Sequence, residues 1–153
     1  MNKAQAIKLV FPAVERVFNS MFQEEIEQGT VKIKEEAITD QVTVSIGVTG
    51  EIQGNILFSF SKEMSLDLVE EMSMMEVNEI DKFVTSAIGE LANIISGHTT
   101  TALNNEGYQC DIVPPQVIHG DNQFISMEHN EIVIIPIITD NHQFEINIAL
   151  QNN

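Results

Sequence analysis

The chain has 153 residues, enough for one domain that buries roughly two-thirds of its unfolded surface without a disulfide or metal to staple it. Its 43% hydrophobic and 20% charged content is that of a globular domain rather than a disordered one, and no apolar run approaches the roughly 20 residues of a membrane helix. Seven basic against 23 acidic side chains leave a net charge of −16, which repels a phosphate backbone and excludes nucleic acid as an expected partner.

The same acidity serves solubility or favours a partner with a basic surface or a cation. Cys110 is the single cysteine, so no intrachain disulfide can form and nothing indicates an oxidising compartment. The apolar stretch from Ala6 to Val14 is interrupted by Lys8 and Pro12 and lacks a small-residue cleavage site, so it does not read as an export signal. The expected location is cytoplasmic.

In chain order, residues 3 to about 27 place Ile7, Val10, Val14, Val17, Phe18 and Met21 three and four apart, which predicts a first amphipathic helix. Pro12 bends it or marks a late start. Extended structure begins at Val31. Val42, Val44, Ile46 and Val48 then alternate with polar or small residues, and after Thr49-Gly50-Glu51 a second run, Ile52 to Phe60, completes an antiparallel hairpin, with Gly54 as a candidate bulge. Ser61 caps a short helix to about Met75, with Leu68, Val69, Met72 and Met75 turned inward. The four methionines between positions 64 and 75 read as core filling or as an adaptable surface.

The next stretch, Asn78 to Gly107, reads as one long helix with Asn78 as its cap, Asp81 beside its positive end and Gly107 as a left-handed stop. At about 100° per residue, Ile80, Val84, Ile88, Leu91 and Ile95 make a broad apolar arc. Ser86, Gly89, Glu90, Asn93, Gly97 and Thr100 gather on the opposite arc. Glu90 and Asn93, three apart, project side by side. Either they are a solvated pair on a wet face, or they are a site whose small neighbours let another molecule approach the backbone. Asn costs roughly half a kcal/mol against Ala inside a helix, so its amide has a use to offset that cost.

Beyond the helix, Tyr108 to Ile112 predicts a strand broken by Pro114-Pro115. Gln116–His119 and Gln123–Met127 predict short strands about a Gly120-Asp121-Asn122 turn. Glu131 to Ile138 is apolar on both faces apart from Pro136, as in a buried strand or one covered by a partner, with Pro136 favouring an edge or a bulge. Phe144, Ile146, Ile148 and Leu150 alternate in a last strand. The expected fold is α+β: an antiparallel sheet covered on one face by two long helices and one short helix, in a single domain over residues 1–153.

No Gly-rich phosphate loop and no nucleophile elbow occurs. His98, His119, His129 and His142 are dispersed and make no ligand pair at zinc spacing, and His98 reads as a half-buried histidine of the long helix. No metal site of the chain's own is expected.

The run Ala87-Ile-Gly-Glu90-Leu-Ala-Asn93-Ile-Ile-Ser-Gly97, followed by Ile112-Val-Pro-Pro-Gln-Val-Ile-His-Gly120, resembles the CheC/CheX/FliY family of chemotaxis phosphatases over nearly the whole chain. Members of the CheC type carry two E-x-x-N motifs on two pseudo-symmetric helices. Here Glu15 is followed three positions later by Phe18, so the chain is more similar to the CheX branch, which has one site and is homodimeric. The resemblance implies a phosphatase of two-component chemotaxis signalling, acting on the aspartyl phosphate of a phosphorylated CheY-type response regulator. Glu90 would bridge to the receiver's lysine and Asn93 would orient the attacking water. Ser86, Gly89 and Gly97 would contact the partner, and Mg²⁺ would come with the receiver. The alternative implied is a non-catalytic adaptor that docks a receiver.

Overall fold

Asn2 adopts an extended backbone and its side chain accepts from the Gln5 amide at 2.8 Å, while the Gln5 side chain accepts from the Asn2 amide at 3.2 Å. This reciprocal pair opens α1 (Lys3–Phe22). The structure, a computed structural model, describes residues 2–120, 124–125 and 131–153, with only the backbone of residues 38, 124 and 125. Pro12 lies inside α1, so it marks no late start. The helix stops at a left-handed Gln23 (φ 52°), short of residue 27, and Glu27–Gln28 forms the two-residue strand β1 instead.

The chain continues through β2 (Lys32–Lys34), β3 (Ala37–Ile38), β4 (Val42–Gly50), β5 (Ile52–Phe60), α2 (Lys62–Ser73) and α3 (Lys82–Asn105). It closes with β6 (Cys110–Ile112), β7 (Gln116–His119), β8 (Phe124–Ile125), β9 (Ile132–Ile138) and β10 (Gln143–Asn152). The turn expected at Asp121-Asn122, the ends of the strand expected over Gln123–Met127, and His129 lie outside the described residues.

The main sheet is antiparallel, ordered β1-β9-β10-β5-β4-β6, with β2 also on β9 and β7 also on β4. One face carries Val44 opposite Phe58, Ile46 opposite Ile56, and Ile146 opposite Ile135, and the helices close over it. Phe18 of α1 stacks on Phe144 with centroids 5.7 Å apart, and Phe144 on Phe60 at 4.8 Å. Each such pair adds about 0.5–1.5 kcal/mol beyond its burial. The α+β arrangement expected from the sequence is the one found.

Two strand details that the sequence left open are decided here. Gly54 makes no bulge: pairing runs unbroken from Gln53 to Asn55 against β10, and the φ of +140° brings the backbones so close that a Cβ would lie on the Ala149 carbonyl oxygen. The apolar run Ile132–Ile138 is buried by the chain itself, between β10 on one side and β1 with β2 on the other, so it is no uncovered dimer face. Pro136 fits there because it faces the gap between β1 and β2, where its carbonyl accepts from Gly29 and its missing donor leaves no rung empty. Among the described residues no helix is long and apolar enough to cross a membrane.

Candidate active site

Asp81, not Asn78, caps α3: its backbone is extended and its carboxylate accepts from the Val84 amide at 3.0 Å. Both residue types suit the position, and burial of Val84 fixes which turn comes first. At the far end the Tyr108 amide donates to the Leu103 carbonyl and the Gly107 amide to Asn104, with Gly107 at φ +100°. That is a glycine-terminated helix stop, as the sequence suggested.

Between these ends Val84, Ile88, Leu91, Ile95 and Leu103 are buried against α1, α2 and the sheet. The opposite side leaves Ser86 and Glu90 exposed and Asn93 and Gly97 half-buried. The structure therefore brings Ser86, Glu90, Asn93 and Gly97 onto one accessible stripe. Among the described residues neither the Glu90 nor the Asn93 side chain takes part in a hydrogen bond or an ion pair. A carboxylate and a carboxamide, one helical step apart and without partners of their own, are free to engage a second molecule.

Gly97 is open: an added Cβ would meet nothing within 4 Å. Its carbonyl accepts from both Thr100 and Thr101 hydroxyls, at 2.9 and 3.0 Å. Gly89 is different. It is buried, and a Cβ there would meet Val117 at 3.2 Å and Pro115 at 3.7 Å. Its smallness is used by the chain's own Pro115–Val117 arm, which corrects its reading as a partner contact. Thr100, too, is buried rather than on the open stripe.

The sequence reading missed Phe83, which stands seven residues before Glu90 and leaves 44% of its surface exposed. Phenylalanine is ordinarily a core residue, so only its register with Glu90 could have marked it. The methionines divide: Met64 is fully buried, whereas Met75, expected to face inward, is 53% exposed and Met74 93%.

Elsewhere, folding joins residues that sequence spacing left apart. The His142 ring nitrogen lies 2.7 Å from the Asp67 carboxylate, with Glu63 completing a set whose ligand atoms all fall within 4.8 Å. The hydrogen bond accounts for that contact. Burial, then the Asp111 and Glu51 carboxylates, push the Cys110 thiol up, which disfavours the thiolate a nucleophile requires. His98 is half-buried on α3, as expected.

Residues 42–138 match the family described as chemotaxis phosphatase CheX. Over 113 residues the chain is 36% identical to the CheY-P phosphatase CheX of Thermotoga maritima, covering 72% of each protein. A chemotaxis protein CheX from Desulfovibrio desulfuricans superposes with a TM-score of 0.86 at 26% identity, over 96% of this chain and 99% of that one. A chain of the CheX–CheY–BeF₃–Mg²⁺ complex from Borrelia burgdorferi does so with a TM-score of 0.80 at 29% identity, over 95% and 97%.

Proposed function

Because the chain belongs to the CheX family of chemotaxis phosphatases, we propose that it hydrolyses the aspartyl phosphate of a CheY-type response regulator through Glu90 and Asn93. The observation that carries this reading is the Glu90–Asn93 pair on the accessible face of α3, whose side chains have no partner among the described residues. In the Borrelia burgdorferi complex a CheX is bound to CheY with BeF₃ and Mg²⁺, the BeF₃ group standing in for a phosphoryl group.

Hydrolysis of a phosphoryl group needs an in-line water and stabilised charge more than covalent help from the catalyst. A receiver brings the phosphorylated aspartate, the Mg²⁺ and a lysine, so the missing part is an aligned nucleophile. The carboxamide of Asn93 has an acceptor and two donors, and holds a water in one orientation without exchanging a proton. The carboxylate of Glu90, one step away, grips the receiver lysine and fixes the register in which that water points at phosphorus. The exposed Ser86 and open Gly97 leave room for the receiver on either side. The same proposal includes a homodimer and a cytoplasmic working place, drawn from the resemblance to the CheX branch. Sedimentation at micromolar concentration tests the dimer, and a single species of about 17 kDa would remove it.

The test of function mixes the protein with a phosphorylated receiver and Mg²⁺ and follows phosphate release. Wild type should shorten the receiver's phosphorylated lifetime. Co-elution with a receiver whose lifetime stays unchanged would make the chain a docking module instead.

A further inference from the structure

Phe83 is the one large apolar side chain of α3 left exposed, at 44%: Val84, Ile88, Leu91, Ile95 and Leu103 of the same helix are at most 1% accessible. Its place is not accidental to the site. Phe83, Glu90 and Gly97 are spaced seven and seven, so they fall on one row of the helix surface, about 10 Å between neighbours, with Asn93 beside the middle of the row. The Asp81 cap fixes the backbone of this first turn. A solvated helix start is served by a charged or small side chain, and an aromatic ring there gains nothing from water.

We propose that Phe83 is a receiver-binding residue, whose ring packs on an apolar patch of the phosphorylated receiver beside the group that Glu90 grips. The inference rests on the proposed function of Glu90 and Asn93 and adds where the affinity comes from. With a net charge of −16, the protein attracts at long range only a basic partner, so any other receiver is held by short-range contacts. An ion pair at Glu90 is weakened by the water around it, and an apolar rim that excludes water strengthens it. A Phe ring supplies that rim with only two rotatable bonds to immobilise, and Gly97, at the other end of the row, leaves clearance for the receiver to seat.

The experiment compares wild type with Phe83→Ala and Phe83→Leu. It measures steady-state hydrolysis of a phosphorylated receiver with Mg²⁺, and binding of the same receiver loaded with beryllium fluoride. Phe83→Ala should raise KM and Kd about tenfold and Phe83→Leu by less, with kcat within about twofold of wild type. Ile33→Ala removes an equally exposed side chain (46%) from β2, near the opposite edge of the sheet, and should leave all three constants unchanged. If Phe83→Ala leaves KM and Kd unchanged while Glu90→Ala raises them, the inference is overturned and the reading of Glu90 and Asn93 stands. A fall in kcat at constant KM would also overturn it. Wild type that does not accelerate hydrolysis removes the reading beneath it.

Discussion

The two long helices α1 and α3 lie side by side over the same sheet, are joined at the surface by a 2.7 Å Lys8–Glu106 bridge, and have opposite fates. Each exposes a glutamate, Glu15 on one and Glu90 on the other. Three residues later α1 carries Phe18, fully buried between Phe22 and Phe144, and α3 carries Asn93, half-exposed, its side chain without a hydrogen bond among the described residues. The same position of the motif thus falls in the core on one helix and on the accessible face of the other. The Phe18 ring contributes apolar burial that α3 forgoes at Asn93, where the helix keeps a carboxamide of poor helix propensity.

The sharpest way to break this comparison is to write the α3 motif onto α1. Phe18→Asn should not create a second site. It should destabilise by about 3–5 kcal/mol, because it opens a cavity and buries an amide among rings, and urea unfolding would read the loss. A stable variant with doubled phosphatase activity would contradict the asymmetry. Glu90→Ala comes next, with an expected rise in KM for the phosphorylated receiver of about tenfold, the usual scale for losing one good ion-pair anchor, and little change in kcat.

Two glycines refine the picture within α3 itself. Gly97→Ala should raise thermal stability by about 0.5–1 kcal/mol, since the added methyl meets nothing in the free protein and helical glycine is costly. Receiver affinity should fall in the same variant, because the methyl takes up clearance the receiver uses. Gly89→Ala should gain less, because its methyl would press on Val117. The smallest effect concerns Glu24, whose carboxyl is held above the usual range by burial, then by Glu71 and Asp140. An acid whose folded pKa is raised binds its proton more readily in the native state, so its ionisation weakens the fold at neutral pH. Glu24→Gln should therefore give a small gain at pH 7 that fades as pH falls through the carboxylate range, visible as converging melting temperatures.

These contrasts also mark what could be read from residues alone. The strands β4, β5 and β10 and the burial of α3 announce themselves because their apolar residues keep period two or three-to-four almost without fault. Glu90 and Asn93 were legible because their spacing on one face needs only helix geometry. The short strands β1 and β2 carry exposed residues and leave no alternation to read. Gly89 and Gly97 look alike in sequence, and only an arm more than twenty residues downstream, folding back over one of them, tells them apart. The Asp67–His142 pair is separated by 75 positions, beyond any local pattern.

The central claim is that Asn93 aligns water and does not hold the receiver. It is tested by measuring, on Asn93→Ala, both the affinity for a beryllium-fluoride-loaded receiver and the single-turnover rate with the phosphorylated receiver at saturation. The account predicts affinity within about twofold of wild type and a rate lower by about a hundredfold, the usual cost of misplacing a reacting group. Wild-type turnover at saturation in that variant would contradict it.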